Sequence, residues 1–266
     1  MNADLGADPR RTVEVVGLDV THTLIETPRL GEIYAEVLER HGAPVAPDEV
    51  LRLAPIVWQE LGCSVPVGGE RFGLHSEGER GFWRHYLERL CALLDLAPPS
   101  RFAAAELYDR FGRADAWRVY PDVLPALTAL RRAGLRLVVI SNWDSRLPGL
   151  LERLGLLPFF DAVVHSSAIG CEKPGAAIFH EAARRMDVLP GAVLHVGDHA
   201  LEDVEGARAV GMQALLLERR PRRAADATAA LAMRADSIGP LPAMRADLIG
   251  PLPVLRRLDE LPERLG

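Results

Sequence analysis

The chain has 266 residues, enough for one large domain or two modest ones, and its 48% hydrophobic and 26% charged side chains provide for a real core. Its 31 basic against 37 acidic residues leave a formal charge of −6, a field that repels nucleic acid and anionic membrane. Three cysteines, Cys63, Cys91 and Cys171, lie far apart without CxxC spacing, which argues against a disulfide framework or a zinc site. With no apolar segment at the N-terminus and no run of membrane-spanning length, a cytoplasmic protein is expected.

Apolar runs ending in small or acidic residues predict strands at 13–19, 135–141, 161–166, 192–198 and 213–218. Most are apolar on both faces, as strands in a sheet covered on two sides must be. Between the first and second lies a stretch without a strand, whose segments 30–41, 48–61, 78–96 and 101–113 have helical spacing and are separated by Pro and Gly. Further on, Asp122 is placed to cap a helix running to Ala133, with Gly134 as terminator. Pro174 opens another helix that runs to about Met186, and 201–210 ends at Gly211. Strand and helix in alternation imply an α/β fold with a parallel, doubly wound sheet. Residues 27–116 read as an inserted all-helical domain, and 1–26 with 117–266 as the α/β core. Near the C-terminus AMRADSIGPLP (232–242) is followed directly by AMRADLIGPLP (243–253), a short tandem duplication rather than a solenoid. The second copy leads into the amphipathic VLRRLDEL and is the better candidate for a strand position.

Ligands of an open parallel sheet bind beyond the carboxyl ends of the strands. Asp19 ends the first strand, Ser141 and Asn142 end the second, Asp198 ends the fourth, and Lys173 follows the third. Of the 31 basic residues 30 are arginine and Lys173 is the single lysine. Arginine replaces lysine well on a surface, but a broad planar guanidinium cannot enter a site built for a compact ammonium. Asp19, Asp198 and Asp203 crowded together would repel one another and pick up protons. A divalent cation and one ammonium would keep them ionised.

The chain resembles the haloacid dehalogenase-like (HAD) superfamily of hydrolases. Asp19-x-Thr21-x-Thr23 is similar to the first motif of that family, usually DxDxT, and Ser141-Asn142 to the second. Lys173-Pro174 is similar to the third, and Gly197–Asp203 (GDHALED) to the fourth. The resemblance implies a Rossmann-like core with residues 27–116 as a helical cap. It also implies Mg²⁺-dependent chemistry on a small phosphorylated, anionic substrate by a monomer or homodimer. In the implied roles Asp19 is the nucleophile, forming an aspartyl-phosphate. Mg²⁺ is held by Asp19, Asp198 and the main-chain carbonyl of Thr21, with Asp203 in the same acidic group and orienting Lys173. Ser141, Asn142 and Lys173 hold the phosphoryl oxygens.

Thr21 stands where most family phosphatases carry an acid that protonates the leaving oxygen, and it cannot exchange a proton at neutral pH. His22 and Glu26 are the nearest groups that could substitute. From the helical insert Arg71, His75, Trp83, Arg84 and His85 are candidates to face the cleft. His199 is a candidate pocket residue, and Cys171 a small packed one. Two readings compete with a phosphatase. One is a phospho-ligand-binding or regulatory protein that lost turnover. The other is carbon–halogen hydrolysis, where a departing halide needs no acid. Phosphonate cleavage by a cap lysine is excluded because residues 27–116 contain none. Deleting one copy of the duplication, 232–242, is expected to leave melting temperature and activity unchanged, which thermal unfolding checks.

Overall fold

The computed structural model describes residues 13–66, 68–74, 77–219 and 254–265. The duplicated segment 232–253 and His75 lie outside the described residues. Six parallel strands form one sheet: β1 (Val15–Leu18), β4 (Arg136–Ser141), β5 (Ala162–His165), β6 (Val193–Gly197), β7 (Gln213–Leu217) and β8 (Val254–Leu255), in the order β5-β4-β1-β6-β7-β8. The chain builds outward from β1 to β4 and β5, then returns to the other side of β1 for β6, β7 and β8. The reversal falls between β1 and β6, where an open sheet leaves a crevice at its carboxyl edge.

Period-two alternation divides the strands between two cores. Val16, Leu18, Leu137, Val139 and Val196 face one layer with α5 (Val123–Arg132) and α6 (Leu147–Arg153). Val15, Val138, Ile140, Val164 and Val193 face the other, with α8 (Ala176–Arg185) and α9 (Gly206–Ala209). A short helix, α7 (Ser166–Ile169), follows β5.

Residues between β1 and β4 form four helices, α1 (Leu30–Arg40), α2 (Pro47–Cys63), α3 (Gly78–Leu93) and α4 (Arg101–Phe111). Pro47 opens α2, where its missing N–H costs nothing, and the Ser100 hydroxyl caps α4 by accepting from Ala103 N at 3.1 Å. The four share a third core of their own, including Ile33, Val37, Val57, Leu87, Leu90, Leu107 and Phe111. Where the chain leaves the sheet layer and where it returns, β2 (Ile25–Glu26) and β3 (Arg118–Val119) pair as a two-stranded antiparallel ribbon. Strands of two residues leave no periodic signal, so the sequence shows neither of them.

Two local expectations change. The 201–210 helix begins as a wide turn over Ala200–Glu205 with π-type bonding before α9, because Asp203 turns its carboxylate back onto the His199 N–H at 2.9 Å. Asp122 does not cap α5 with its side chain. Its buried carboxylate instead takes two bonds from Arg219 Nη1, both at 2.9 Å, and one from Leu258 N at 2.6 Å. The acid therefore ties β7 and the C-terminal turn to the start of α5. Replacing it leaves Arg219 facing a buried void, so Asp122→Ala should lower stability by about 3–5 kcal/mol, read as a shift in the urea midpoint.

Candidate active site

Lys173 is the hub of the carboxyl edge. Its fully buried ammonium donates to Asp19 Oδ1 at 2.7 Å, to Asp203 Oδ1 at 2.5 Å and to the Ile140 carbonyl at 3.0 Å. All three of its hydrogens are thereby used. The Ser141 hydroxyl, from the last residue of β4, donates to the same Asp19 oxygen at 2.9 Å. Asp19 is fixed from its backbone as well, its N–H bonding Val196 O at 3.0 Å as β1 ends beside β6. Asp203 accepts on Oδ1 from His195 Nε2 at 3.0 Å and on Oδ2 from His199 N, so both its oxygens are engaged.

Ligand atoms of Asp19, Asp198 and Asp203 lie within 4.8 Å of one another. Three carboxylates face one ammonium, and their proton affinities record the imbalance. Burial, then the charges of Asp19 and Asp203, push the Asp198 carboxyl up to about 8. Burial raises Asp19 too, only partly offset by Lys173. Burial also works against the Asp203 anion, but the Lys173 charge and the His195 hydrogen bond outweigh it, and the group stays far below the usual carboxylate range. Burial disfavours the Lys173 cation, and Asp19 and Asp203 outweigh that in turn, holding the ammonium above its ordinary range.

Asn142 serves Lys173 with its side chain. The amide accepts from Lys173 N at 2.7 Å and donates to Lys173 O at 3.0 Å, clamping that backbone from both sides, and reaches Glu202 Oε2 at 3.2 Å. Thr21 accepts at Oγ1 from the Trp143 indole N–H at 3.0 Å. A buried Trp needs an acceptor, and the hydroxyl at position 21 supplies one. Trp143 and Glu202 escape sequence reading because their side-chain bonds to Thr21 and Asn142 join residues far apart in the chain.

The outer candidates divide. His22 is exposed and left-handed at φ 63, its N–H bonding Ile25 O at 2.7 Å. Glu26 is engaged by Arg118 at 2.9 Å, across the β2–β3 ribbon. Arg84 and His85 pair with Glu77 and Glu88 at the surface of the helical region. Arg71 and Trp83, by contrast, touch the loops at the carboxyl edge of the sheet. Arg71 makes a two-pronged bond to Glu172, beside Lys173, at 2.8 and 3.1 Å, and stacks over Trp58 at 4.1 Å. The Trp83 indole donates to Asp144 at 2.7 Å, two residues beyond Asn142. His199 accepts from Glu202 N at 3.2 Å through Nδ1. Cys171 is buried, its thiol 3.7 Å from the Glu172 carbonyl.

A Rossmann-like sheet with a carboxylate cluster and a buried ammonium at its switch point places the chain among doubly wound α/β proteins whose site lies at the carboxyl edge. The model of the haloacid dehalogenase-like hydrolase family matches residues 13–211, and the chain belongs to that family. It is 36% identical over 211 residues to the human haloacid dehalogenase-like hydrolase domain-containing protein 3, covering 78% of this chain and 83% of that protein. It is 28% identical over 216 residues to glyceraldehyde 3-phosphate phosphatase of Pyrococcus abyssi, covering 76% and 79% of the two chains. Among solved structures it is similar to L-2-haloacid dehalogenase from Xanthobacter autotrophicus, with a TM-score of 0.65 at 22% identity over 95% of this chain and 98% of that one.

Gly197 tests the packing of the site. A Cβ there would sit 2.1 Å from Asp203 Cγ, so only glycine lets the carboxylate lie against the end of β6. Gly197→Ala should cost about 1–3 kcal/mol through forced displacement, measured by thermal unfolding.

Proposed function

We propose that this hydrolase is a Mg²⁺-dependent phosphatase acting on a small phosphorylated metabolite through an aspartyl-phosphate at Asp19. One observation carries the reading: three clustered carboxylates, two with raised proton affinity, face a single ammonium. The relatives named as phosphatases lend it support. An all-oxygen donor set of this kind fits a hard divalent cation. Asp19, Asp198 and the Thr21 carbonyl would hold it, while Asp203, with both oxygens engaged, acts on Lys173. When bound, the ion neutralises the carboxylates and the charge of the incoming phosphate.

In this reading the Asp19 carboxylate attacks phosphorus, the phosphorus–oxygen bond to the leaving group breaks, and the departing alkoxide takes a proton. Lys173 and the Ser141 hydroxyl offset charge on the phosphoryl oxygens in transit. Asn142 acts indirectly, by fixing the Lys173 backbone. A water then attacks the aspartyl-phosphate, gives up a proton and frees Asp19. Thr21 can neither protonate the alkoxide nor deprotonate the water, so both proton transfers fall to solvent and turnover is slow. Residues 27–116 act as the cap in this scheme, held over the sheet edge through Trp83–Asp144 and Arg71–Glu172.

A panel of phosphate esters assayed with and without Mg²⁺ tests the proposal. Activity should require Mg²⁺ and vanish in Asp19→Asn; activity surviving that change would remove the nucleophile assignment. Thr21→Asp keeps an acceptor for the Trp143 N–H and adds the missing acid, and should raise turnover about 10²-fold or more. No rise, with Mg²⁺ binding intact, would favour a phospho-ligand-binding role. Turnover of 2-haloacids without metal would favour carbon–halogen hydrolysis.

A further inference from the structure

We propose that His195 is a positioning residue which holds Asp203, and through it the Lys173 ammonium, against Asp19; the catalytic importance of that placement rests on the reaction proposed above. His195 lies inside β6, wholly buried, and belongs to none of the four motifs. Its Nε2 is 3.0 Å from Asp203 Oδ1, the oxygen that also takes Lys173 Nζ at 2.5 Å. A carboxylate oxygen can only accept, so Nε2 carries the hydrogen.

The other ring nitrogen, Nδ1, is buried and has no hydrogen-bond partner among the described residues. Burying a polar nitrogen without a partner is unfavourable. The Phe179 ring packs against the imidazole at 5.5 Å and 78°. An aliphatic side chain would fill this space without the orphaned nitrogen. What the imidazole adds is one N–H, aimed at one catalytic-edge oxygen.

The neighbouring strand is shaped to admit the ring. Register pairs His195 with Gly17 of β1, and a Cβ at 17 would lie 3.1 Å from His195 Nδ1 and 2.9 Å from Ile140 Cδ1. Glycine inside a central strand weakens it, and here it opens the slot that the imidazole occupies. With His199 N on Oδ2, the His195 bond leaves the Asp203 carboxylate no free rotation. Without His195, Oδ1 keeps only the bond from the ammonium it is meant to aim, and the His199 N–H on Oδ2 is the one donor left to orient the carboxylate independently of Lys173.

The test uses the full chain, in which Lys173 is the only lysine. Lysine labelled with ¹⁵N at Nζ therefore gives a single side-chain ammonium resonance, readable whether or not the protein turns over a substrate. His195→Leu should shift or broaden that resonance. His195→Gln, which returns an N–H donor near the Nε2 position, should restore it. With p-nitrophenyl phosphate and Mg²⁺, kcat should fall about tenfold in the Leu variant with KM little changed, and recover in the Gln variant. A Leu variant with the wild-type ammonium resonance would overturn the proposal. So would a histidine ¹⁵N spectrum of the unaltered protein with hydrogen on His195 Nδ1 and none on Nε2, a measurement that needs no variant to fold. If the unaltered protein hydrolyses no phosphate ester, the phosphatase reading fails, and the lysine resonance still decides the role of His195.

Discussion

The bond from the Lys173 ammonium to the Asp19 carboxylate, 2.7 Å long and shut away from water, is what the rest of the site is arranged around. An ammonium can be buried only where each hydrogen finds an acceptor and its charge a counter-charge. Asp19, Asp203 and the Ile140 carbonyl provide both, and they come from the ends of three different strand–loop units. Asn142 grips the backbone of the same lysine from a fourth direction. The excess of negative charge follows from this construction: the carboxylates of Asp19, Asp198 and Asp203 gather around one ammonium, which can neutralise only one of them.

The loops that carry these groups also carry the helical region. Immediately after Asn142, Asp144 takes the Trp83 indole, and Arg146 both binds Asp144 and lies over the Tyr108 ring at 3.8 Å. Ser145 donates from its backbone to Glu79 at 2.8 Å. Glu172, next to Lys173, holds Arg71. The loops after Asn142 and beside Lys173 are thus tied to α3 and to the segment before it by part-buried and exposed polar contacts, whose geometry is more exacting than that of apolar packing.

Much of this arrangement was readable in the residue pattern. The five longer strands are apolar runs with acids or small residues at their carboxyl ends, and a lone lysine among arginines has a meaning that chemistry alone supplies. What was hidden shares a different physical character. Trp143 supports Thr21 and Asn142 supports Lys173 through hydrogen bonds between segments remote in sequence, for which no spacing rule exists. Asp122 looks like a helix cap because capping is local and therefore legible, whereas its real partners arrive nearly a hundred or more residues later. The wide turn at 200–205 arises because Asp203 must point inward and back at once, a demand of the site that overrides local helix preference.

The ribbon of β2 and β3 has a corollary for chain length. Ile25 pairs with Val119, so some ninety intervening residues depart and come home through a single narrow doorway. Since the two posts of that doorway are bonded to each other, the entropic toll of closing the excursion depends only weakly on its length. Changes of length beyond the threshold that keep the Trp83 and Arg71 contacts therefore cost the sheet and its buried lysine little.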